Sequence, residues 1–496
     1  MVLRLSTAQS DRAAGVLLGM ASGDALGAGY EFGPPLGDDV EVVMEGGGSF
    51  GWARGEWTDD TSMALAIAEV SAEGADLRCE EAQDRIAGRW ATWATTAKDV
   101  GIQTRQVLGS ASRVVGTQPT AEGLRAAAAD LHRRTGRTAG NGSLMRTAPV
   151  ALAYLDDESA LVEAAQALSA LTHADPEAGE ACALWCLAIR RAVLDGTFDG
   201  LHQGLEHLPA DRRSVWAERL RDAEAKPPSA FSHNGWVVEA LQGAWSAISR
   251  TAVPPLDGKR SFPADHLRLA LEAAVRGGRD TDTVAAIAGA LLGARWGASA
   301  VPSAWRRRLH GWPGLRSHDL VRLAVLSAQG GVPDGAGWPS GAAVDYRRWP
   351  GRRVLARHPH DPQVWLSGVA ALDQLPDGVD AVVSLCRLGT DQVPASGVKA
   401  GDHVEVWLVD DIHPDKNPNL DFVLHDAASA VAALREEGKT VLLHCVQAQS
   451  RTPTVAALYG AQVTGKTPVE CLKEIRSALP DALPNPTLLA VLDGLS

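Results

Sequence analysis

The first two thirds of the chain carry apolar residues at helical spacing. Between about residues 11 and 330, Ala- and Leu-rich stretches alternate with Gly-rich loops, and strand-like alternation of period two is scarce. The clearest helical stretches lie at 61–73, 158–172, 177–194 and 283–295. This pattern predicts a nearly all-helical domain over residues 1–328.

The pattern changes after a segment rich in Gly and Pro. Residues 329–353 have no apolar period, which indicates a linker. Beyond it, short β-branched runs at 379–386, 403–409 and 440–443 are interleaved with amphipathic stretches at 421–437 and 453–463. We therefore expect a multidomain protein whose residues 354–496 form a small α/β domain with a partly parallel sheet.

The composition agrees with a globular chain of more than one domain. The 496 residues are 45% hydrophobic and 22% charged, and this length is about three times that of an average domain. A net charge of −13 argues against nucleic acid and anionic membranes as partners. Six cysteines are too few for a disulfide framework, and no apolar stretch is long enough to span a bilayer, so we expect a cytoplasmic protein.

Two segments place paired carboxylates and hydroxyls at the start of an apolar helix. Residues 55–61 read GEWTDDT and residues 277–283 read GGRDTDT. Helix capping and the helix dipole explain one such cluster, but a cap uses only one side chain. Concentrated carboxylates with hydroxyls suit hard divalent cations such as Mg²⁺ or Mn²⁺. If the two helix starts converge, they can hold a pair of ions, which activates water and orients substrate oxygens.

Three further features suit a phosphate-bearing ligand or a reactive centre. Residues 140–146 (GNGSLMR) combine glycines for close backbone approach with N–H donors and the cation of Arg146. Glu31 lies in a Gly-rich turn after a helix, and His173 precedes another helix. Each feature also has a structural explanation, as an ordinary turn or as a buried histidine.

Taken together, these segments resemble the ADP-ribosylglycohydrolase family. The motifs GDALGAxxE, WTDDT, GNGSLMR, SxLTH and GGRDTDT occur in the family's order over about residues 11–325. The resemblance implies an all-α fold, two Mg²⁺ or Mn²⁺ ions, and an ADP-ribosylated protein or an ADP-ribose-containing small molecule as substrate. The metal ligands that it implies are Thr58, Asp59, Asp60, Asp280, Asp282 and Thr283.

The same resemblance implies Glu31 on a mobile flap at the substrate ribose. It also implies ligand contacts from Gly140, Asn141, Gly142, Ser143 and His173. Hydrolysis at an anomeric carbon passes through an oxocarbenium-like state. We assign Asp59 or Asp60 as the carboxylate nearest the attacking water, and Glu31 as a positioning or acid/base residue. The alternative is a module that binds ADP-ribose without cleaving it.

A separate candidate site lies near the C-terminus. Residues 439–463 read as a short apolar strand, His444-Cys445, five residues, Arg451-Thr452, and then a helix. A cysteine between a strand and a helix N-terminus suits a thiolate nucleophile beneath a bound phosphate, because loop N–H groups and the helix start stabilise both anions. The other interpretation is a buried structural cysteine.

This arrangement resembles the dual-specificity and tyrosine phosphatases over about residues 360–496. The resemblance implies Cys445 as nucleophile, Arg451 as the residue that holds the phosphoryl oxygens, and Thr452 as an aid to breakdown of the phosphocysteine. A phosphorylated substrate follows from these roles.

The phosphatase family also uses an Asp general acid, and Asp410, Asp411 and Asp415 are candidates here. We favour Asp411, which comes just after the predicted strand. Ala448 stands where the family commonly has Gly, so its backbone is less able to wrap a phosphate. The expectation is a bifunctional hydrolase. The alternative is a C-terminal domain that binds phosphate or acts as a scaffold without catalysis.

Overall fold

The computed structural model describes residues 4–111, 118–257, 261–350 and 353–495. The chain divides into two compact units. The first comprises Met1–Ala252, His266–Val301 and Arg308–Val332, and the second comprises Val253–Asp265, Pro302–Arg307 and Pro333–Ser496. The segments Val253–Asp265 and Pro302–Arg307, which lie within residues 1–328, therefore belong to the second unit. Their sequences contain no pattern that predicts this.

The first unit is helical, as the apolar spacing predicts. Its helices are α1 (Thr7–Gly27), α2 (Asp59–Ser71), α3 (Glu80–Ala94), α4 (Ile102–Ala111), α5 (Ala121–Thr135), α6 (Ala148–Ala153), α7 (Glu158–Ala170), α8 (Pro176–Asp195), α9 (Gly200–Gln203), α10 (Ala210–Ala225), α11 (Val237–Arg250), α12 (Asp265–Arg276), α13 (Thr281–Trp296) and α15 (Ser317–Ala328). A short antiparallel hairpin joins β1 (His310–Gly311) to β2 (Leu315–Arg316).

Helices α1 and α13 pack with their backbones in contact. Glycines recur on α1 at positions 15, 19, 23 and 27, so every fourth residue of one face lacks a side chain. A methyl group on Gly23 would lie 2.0 Å from the carbonyl oxygen of Ala285, and one on Gly27 would lie 2.5 Å from the backbone of Asp282. Glycine permits this approach because it has no Cβ. The end of α1 is thereby placed beside the start of α13.

The second unit is α/β. Its sheet has the order β3-β4-β7-β5-β6, formed by β3 (Leu355–His358), β4 (Asp361–Ser367), β5 (Ala381–Ser384), β6 (His403–Glu405) and β7 (Val441–His444). Strand β3 is antiparallel to β4, and the other neighbouring pairs are parallel. The helices are α14 (Ser303–Arg306), α16 (Leu420–Glu436), α17 (Arg451–Thr464), α18 (Pro468–Ala478) and α19 (Pro486–Gly494).

The sheet register places the cysteine loop at one edge. Ser367 of β4 and Ser384 of β5 both pair with His444 at the end of β7. Parallel strands present their carboxyl ends on the same side of a sheet, which is where ligands bind in α/β folds. Cys445 follows β7 directly, so the loop from Cys445 to α17 begins at that edge.

The segment predicted as a linker packs on the second unit from residue 333 onward. Trp338 is 7% exposed, its ring centroid lies 5.7 Å from that of Trp407, and the guanidinium of Arg387 lies 4.2 Å from its ring. Gln447 donates a hydrogen bond of 2.7 Å to the carbonyl of Pro350. Tyr346 packs on a small apolar cluster and Asp334 pairs with Arg387. Isolated contacts of this kind leave no periodic signal in a sequence.

Candidate functional site

The two acidic helix starts lie side by side in the first unit. Carboxylate oxygens of Asp24, Asp60 and Asp282 lie within 4.8 Å of one another. The carboxylates of Glu31, Asp280 and Asp282 form a second grouping with the same limit. Asp282 belongs to both groupings, so the two are continuous. We call these residues, together with Asp59, the acidic centre.

The buried oxygens of the acidic centre are suitable ligands for a divalent cation. The hydroxyls of Thr58 and Thr283, one from each helix start, bond to Oδ2 of Asp60 at 3.0 and 3.4 Å. Oδ1 of Asp60 and Oδ1 of Asp282 are buried and have no hydrogen-bond partner among the described residues. An unpaired buried carboxylate oxygen is costly, and a hard cation bound to it removes that cost. The all-oxygen donor set therefore suits a divalent ion.

Asp24 organises the first helix start, and the sequence analysis does not identify it. Its Oδ1 accepts from the N–H of Thr58 at 2.9 Å, and its Oδ2 accepts from the N–H and the hydroxyl of Thr61 at 3.0 and 2.6 Å. Asp24 thus caps α2 from another helix, while the Thr58 side chain makes no cap bond. This arrangement leaves Asp59 and Asp60 available to face the centre.

Like charges dominate the electrostatics of the acidic centre. Burial raises the pKa of Asp24 to about 6. Burial, with the charges of Asp280 and Asp99 added, raises the pKa of Glu31 to about 9. Burial and neighbouring carboxylates also raise the pKa of three more groups well above the usual range, namely those of Asp59, Asp60 and Asp282. A cluster of this kind favours a bound cation, which stabilises the ionised forms.

Asp99 is a second residue that the sequence analysis misses. It is half-buried between α3 and α4, and burial raises its pKa. Its charge raises the pKa of Glu31 and of Asp59, so Asp99 belongs to the electrostatic surroundings of the acidic centre. The surrounding sequence, TAKDVGIQ, has no motif or apolar period that could have indicated this position.

The turn that carries Glu31 is attached to the loop before α13. Phe32 donates from its N–H to the carbonyl of Arg279 at 2.6 Å, and Arg279 donates to the carbonyl of Gly33 at 2.8 Å. Phe32 and Arg279 both have positive φ, 64° and 69°, a strained backbone for residues other than Gly. The two hydrogen bonds hold Glu31, which is half-buried, beside Asp280.

The glycine loop lies against His173. A methyl group on Gly140 would lie 3.3 Å from Nε2 of His173, and one on Gly142 would lie 3.1 Å from its Cε1. His173 is 3% exposed, and its Nδ1 lies 2.7 Å from the hydroxyl of Thr172. Burial lowers the pKa of His173 to about 3, so the ring is neutral. The glycines let the loop backbone rest on this ring.

Side chains of the glycine loop are used within the fold. Asn141 donates to Oδ2 of Asp280 at 2.7 Å, which ties the loop to the acidic centre. Ser143 is buried and accepts a hydrogen bond of 2.9 Å from a serine hydroxyl of α7. Arg146 is 1% exposed and stacks on Trp90 at 4.0 Å, and burial lowers its pKa to about 9. Its position does not fit the expected role as a cation for a diphosphate.

The cysteine loop of the second unit presents buried donors. Nη1 of Arg451 donates to the carbonyls of Leu385 and Leu408 at 2.6 and 3.2 Å, so segments following β5 and β6 hold the guanidinium. Nε of Arg451 and the hydroxyl of Thr452 are buried without a hydrogen-bond partner in the described part of the chain. Cys445 is 2% exposed. Nε also forms an ion pair with Asp410 at 3.5 Å, so the hydroxyl of Thr452 is the donor without a partner, and a buried donor beside a guanidinium suits an anion.

Ala448 takes the loop conformation that favours glycine. Its φ is 56°, in the left-handed region that Gly adopts readily. Ala448 therefore does not prevent the turn, but its backbone is strained there because of its Cβ.

Asp410 contacts the cysteine loop, whereas Asp411 does not. Oδ1 of Asp410 accepts from the hydroxyl of Ser450 at 2.7 Å and from Nδ2 of Asn485 at 2.8 Å, and its Oδ2 lies 3.5 Å from Nε of Arg451. Oδ1 of Asp411 accepts from the N–H of His413 at 2.9 Å. The third candidate for the general acid, Asp415, is exposed.

A relay of hydrogen bonds holds His444 behind the loop. The N–H of Ala395 donates to Nδ1 of His403 at 3.0 Å, so the ring proton of neutral His403 is on Nε2, 2.8 Å from the hydroxyl of Ser384. That hydroxyl lies 2.6 Å from Nε2 of His444, whose Nδ1 lies 3.3 Å from the carbonyl of Cys445. Burial lowers the pKa of His444 to about 3. The relay positions the backbone of Cys445 from three neighbouring strands.

The comparison with protein families covers the whole helical unit. The sequence model of the family described as ADP-ribosylglycohydrolase matches residues 5–332. The chain belongs to this family. ADP-ribosylglycohydrolases act on ADP-ribosyl linkages and generally depend on divalent metal ions, in agreement with the bare oxygens of the acidic centre.

Curated relatives of this ADP-ribosylglycohydrolase come from bacteria and animals. The chain is 30% identical over 313 residues to the ADP-ribosylarginine hydrolase Tri1 of Pseudomonas putida (strain GB-1), covering 60% of this chain and 73% of that protein. It is 28% identical to the ADP-ribosyl-[dinitrogen reductase] glycohydrolase of Rhodospirillum rubrum, covering 60% and 90% respectively.

Solved structures match the two units to different extents. One described as an ADP-ribosylglycohydrolase-related protein complex matches with a TM-score of 0.50 and 29% identity, covering 65% of this chain and 99% of that chain. Human DUSP28 matches with a TM-score of 0.24 and 23% identity, covering 28% of this chain and 90% of that chain. A TM-score of this size carries no argument about activity, so a phosphatase hypothesis rests on the cysteine loop itself.

Within the described ranges, no helix is both long enough and apolar enough to cross a bilayer.

Proposed function

We propose that this chain is a divalent-metal-dependent hydrolase that releases ADP-ribose from an ADP-ribosylated protein or an ADP-ribose-containing small molecule. The observation that carries the proposal is the pair of bare, buried oxygens on Asp60 and Asp282, between two adjoining helix starts. ADP-ribosylated arginine is the first substrate to test, because a 30% identical relative is an ADP-ribosylarginine hydrolase.

The proposed ligands of two Mg²⁺ or Mn²⁺ ions are Thr58, Asp59, Asp60, Asp280, Asp282 and Thr283. Asp24 and Glu31 add a carboxylate to each of the two groupings. When bound, the ions supply Lewis-acid stabilisation of negative charge on oxygen. The hydroxyls of Thr58 and Thr283 already converge on Asp60, so its orientation is set by the protein.

The protein's own carboxylates would carry the proton transfer. An attacking water must give up a proton as its oxygen bonds to the anomeric carbon. Of Asp59 and Asp60, we assign Asp59 as the residue nearest that water, because Asp60 is engaged by two hydroxyls. Asp99 interacts electrostatically with Asp59 and Glu31 and is in neither ligand grouping, so we assign it as the acceptor of that proton. Glu31 then positions the ribose or returns a proton to the leaving group.

The test measures release of ADP-ribose from ADP-ribosylated arginine by the full chain, with chelator and after Mn²⁺ or Mg²⁺ is restored. Activity that chelation abolishes and either ion restores supports the proposal. Asp282→Asn should lower the rate on the order of 100-fold or more. The matched change Asp195→Asn, at an exposed ion pair of α8, should leave it unchanged. Tight binding of ADP-ribose without any release would favour a binding module instead.

We further propose that the second unit is a cysteine-dependent phosphatase acting on a phosphomonoester. The observation that favours it is the buried hydroxyl of Thr452, which has no hydrogen-bond partner among the described residues, next to the buried guanidinium of Arg451 in the loop that begins at Cys445. The Cys445 thiolate would attack phosphorus as the bond to the leaving oxygen breaks, with Arg451 holding the other phosphoryl oxygens. Water would then attack the phosphocysteine and break its P–S bond, with help from Thr452.

The roles of Asp410 and Asp411 are proposed to differ. Oδ1 of Asp410 accepts hydrogen bonds from Ser450 and Asn485, and its Oδ2 forms an ion pair with the Arg451 guanidinium, whereas a general acid must present an O–H to the leaving group. We therefore keep Asp411 as the general acid and assign Asp410 to positioning Arg451 and Ser450.

Phosphate release from p-nitrophenyl phosphate tests this second activity. Cys445→Ser should abolish release, and Cys79→Ser, at an exposed cysteine of the first unit, should leave it intact. Absence of turnover with several aryl and alkyl phosphates would contradict the proposal and favour a phosphate-binding scaffold.

A further inference from the structure

A cluster of His360, Cys471 and Glu474 lies away from the cysteine loop in the second unit. His360 is in the turn that precedes β4, while Cys445 follows the opposite end of the parallel strand β7. Cys471 and Glu474 are three residues apart on α18, so they share one helix face. One ligating atom from each of the three side chains lies within 4.8 Å of the other two.

We propose that this cluster binds Zn²⁺, with a water completing a four-coordinate site. Imidazole, thiolate and carboxylate are the ligand types that Zn²⁺ takes in proteins, and thiolate selects against Mg²⁺. The acidic centre offers only oxygen atoms, so the two sites select different ions. The Zn²⁺ site neither contributes to nor depends on the two proposed hydrolytic activities.

Neighbouring groups hold the ligands in place. The N–H of His360 donates to Nδ1 of His358 at 3.2 Å, and the other ring nitrogen of His358 lies 3.0 Å from the carbonyl of Ala456 on α17. The hydroxyl oxygen of Thr464 lies 3.8 Å from Sγ of Cys471, and its proton is donated to the carbonyl of Gly460 at 2.7 Å. Outer hydrogen bonds like those of His358 orient metal ligands.

The present contacts already bring two of the ligands together. Nε2 of His360 is hydrogen-bonded to Glu474, whose other oxygen is bonded to Nζ of Lys466 at 2.6 Å. An ion would replace the hydrogen bond between His360 and Glu474 after a small separation of the two side chains, while the ammonium stays on the far oxygen.

Charge and protons balance in this binding step. Cys471 is fully buried and burial raises its pKa; its thiol proton passes to solvent when sulfur bonds to Zn²⁺, and Nε2 of His360 gives up its proton while Nδ1 takes one from solvent, so that the ring stays neutral. The thiolate and carboxylate then neutralise the ion. The bound ion joins the β3–β4 turn to α18, which stabilises the second unit.

Cobalt titration of the metal-stripped full chain tests the proposal. Co²⁺ is added in excess Mg²⁺, which occupies oxygen sites, and the near-ultraviolet sulfur-to-cobalt charge-transfer band is recorded. We expect the band to saturate at one equivalent and to be displaced by Zn²⁺. The band requires a cysteine ligand, so it separates this site from the acidic centre.

The variants decide which residues bind. Cys471→Ser should remove the band, while Cys445→Ser and Cys79→Ser should keep it. His360→Gln and Glu474→Gln, at partly exposed positions that tolerate change, should weaken Co²⁺ binding by about 100-fold or more, since loss of even an outer partner costs about 10–100-fold. The proposal is overturned if the unmodified chain shows no thiolate band, if Cys445→Ser removes it, or if the His360 and Glu474 variants bind as before.

Discussion

The acidic centre and the cysteine loop leave opposite kinds of buried atom without a hydrogen-bond partner. In the described part of the first unit the bare atoms at the site are acceptors, Oδ1 of Asp60 and of Asp282. In the described part of the second unit they are potential donors, the hydroxyl of Thr452 and Nε of Arg451, of which Nε has an ion pair with Asp410 but no hydrogen bond. Bare acceptors favour a cation and bare donors favour an anion. The unpaired atoms therefore indicate the charge of each ligand before its identity is known.

Both sites also lie at helix starts, where the helix dipole is positive. At α2 and α13 the protein itself supplies the negative groups, and so many carboxylates converge that a cation is needed between them. At α17 the ligand supplies the negative charge, and the protein supplies the dipole, loop N–H groups and Arg451. The same backbone feature thus serves opposite ligands because the side chains around it differ.

The largest effect is expected for Asp60→Asn, which tests whether the acidic centre binds the cation independently of the anion site. The substitution removes one charge and one bare acceptor, so Mn²⁺ affinity should fall by on the order of 100-fold or more. Binding of inorganic phosphate should be unchanged, since the cysteine loop does not use Asp60. Calorimetric titration of the full chain with each ligand measures both affinities. Equal losses for the two ligands would contradict the assignment.

The complementary change is Arg451→Lys. A lysine cannot reproduce the fork of the guanidinium, and a hydrogen bond to a charged group contributes about 1.5–3 kcal/mol. Phosphate affinity should therefore fall about 10–100-fold, with Mn²⁺ affinity unchanged. Arg476→Lys, on the exposed side of α18, is the matched control. Full retention of phosphate affinity by Arg451→Lys would contradict the proposal that Arg451 forms part of an anion site.

The pH dependence of stability tests whether the carboxylates of the acidic centre surround a cation site. In metal-free protein the folded-state pKa of Asp24 is raised to about 6 and that of Glu31 to about 9. Between the unfolded and folded values the unfolded chain has lost these protons and the folded chain keeps them, so stability falls as pH rises. The melting temperature of metal-free protein should decrease from about pH 5 towards pH 9.

Saturating Mn²⁺ should raise that melting temperature most at high pH and flatten its decrease, because the ion stabilises the ionised carboxylates. Thermal unfolding at a series of pH values, with and without Mn²⁺, measures the difference between the two slopes. Parallel slopes would show that these groups do not face a cation site.

The smallest expected effect concerns the loop backbone. Ala448 has a φ of 56°, and left-handed backbone costs a residue with a Cβ about 1–2 kcal/mol. Ala448→Gly should therefore raise the unfolding free energy of the second unit by about 1 kcal/mol. Ala432→Gly, inside α16, should lower it by about 0.5–1 kcal/mol. Denaturant unfolding compares the two, and a loss of equal size in both would mean that Ala448 is not strained.

Helical spacing predicted the elements that matter most for the acidic centre. The stretches 61–73 and 283–295 correspond to α2 and α13, and the structure begins each helix two residues earlier. The antiparallel strand β3 and strand β4 were not predicted, since residues 354–363 (VLARHPHDPQ) mix charges and prolines with few apolar positions. These two strands form because they pair with neighbouring strands of the sheet, and a local sequence pattern does not show such pairing.

Local sequence was sufficient to indicate two helix starts rich in oxygen ligands and a cysteine loop rich in donors, because each lies within a few consecutive residues. It was not sufficient for Asp24 or Asp99, nor for the contacts that distinguish Asp410 from Asp411. Asp24 reaches the centre because α1 and α13 touch through glycines, and Asp99 arrives from the α3–α4 connection. Their roles depend on side chains that are far apart along the chain, and only close packing of the folded backbone brings these charges within a few ångströms.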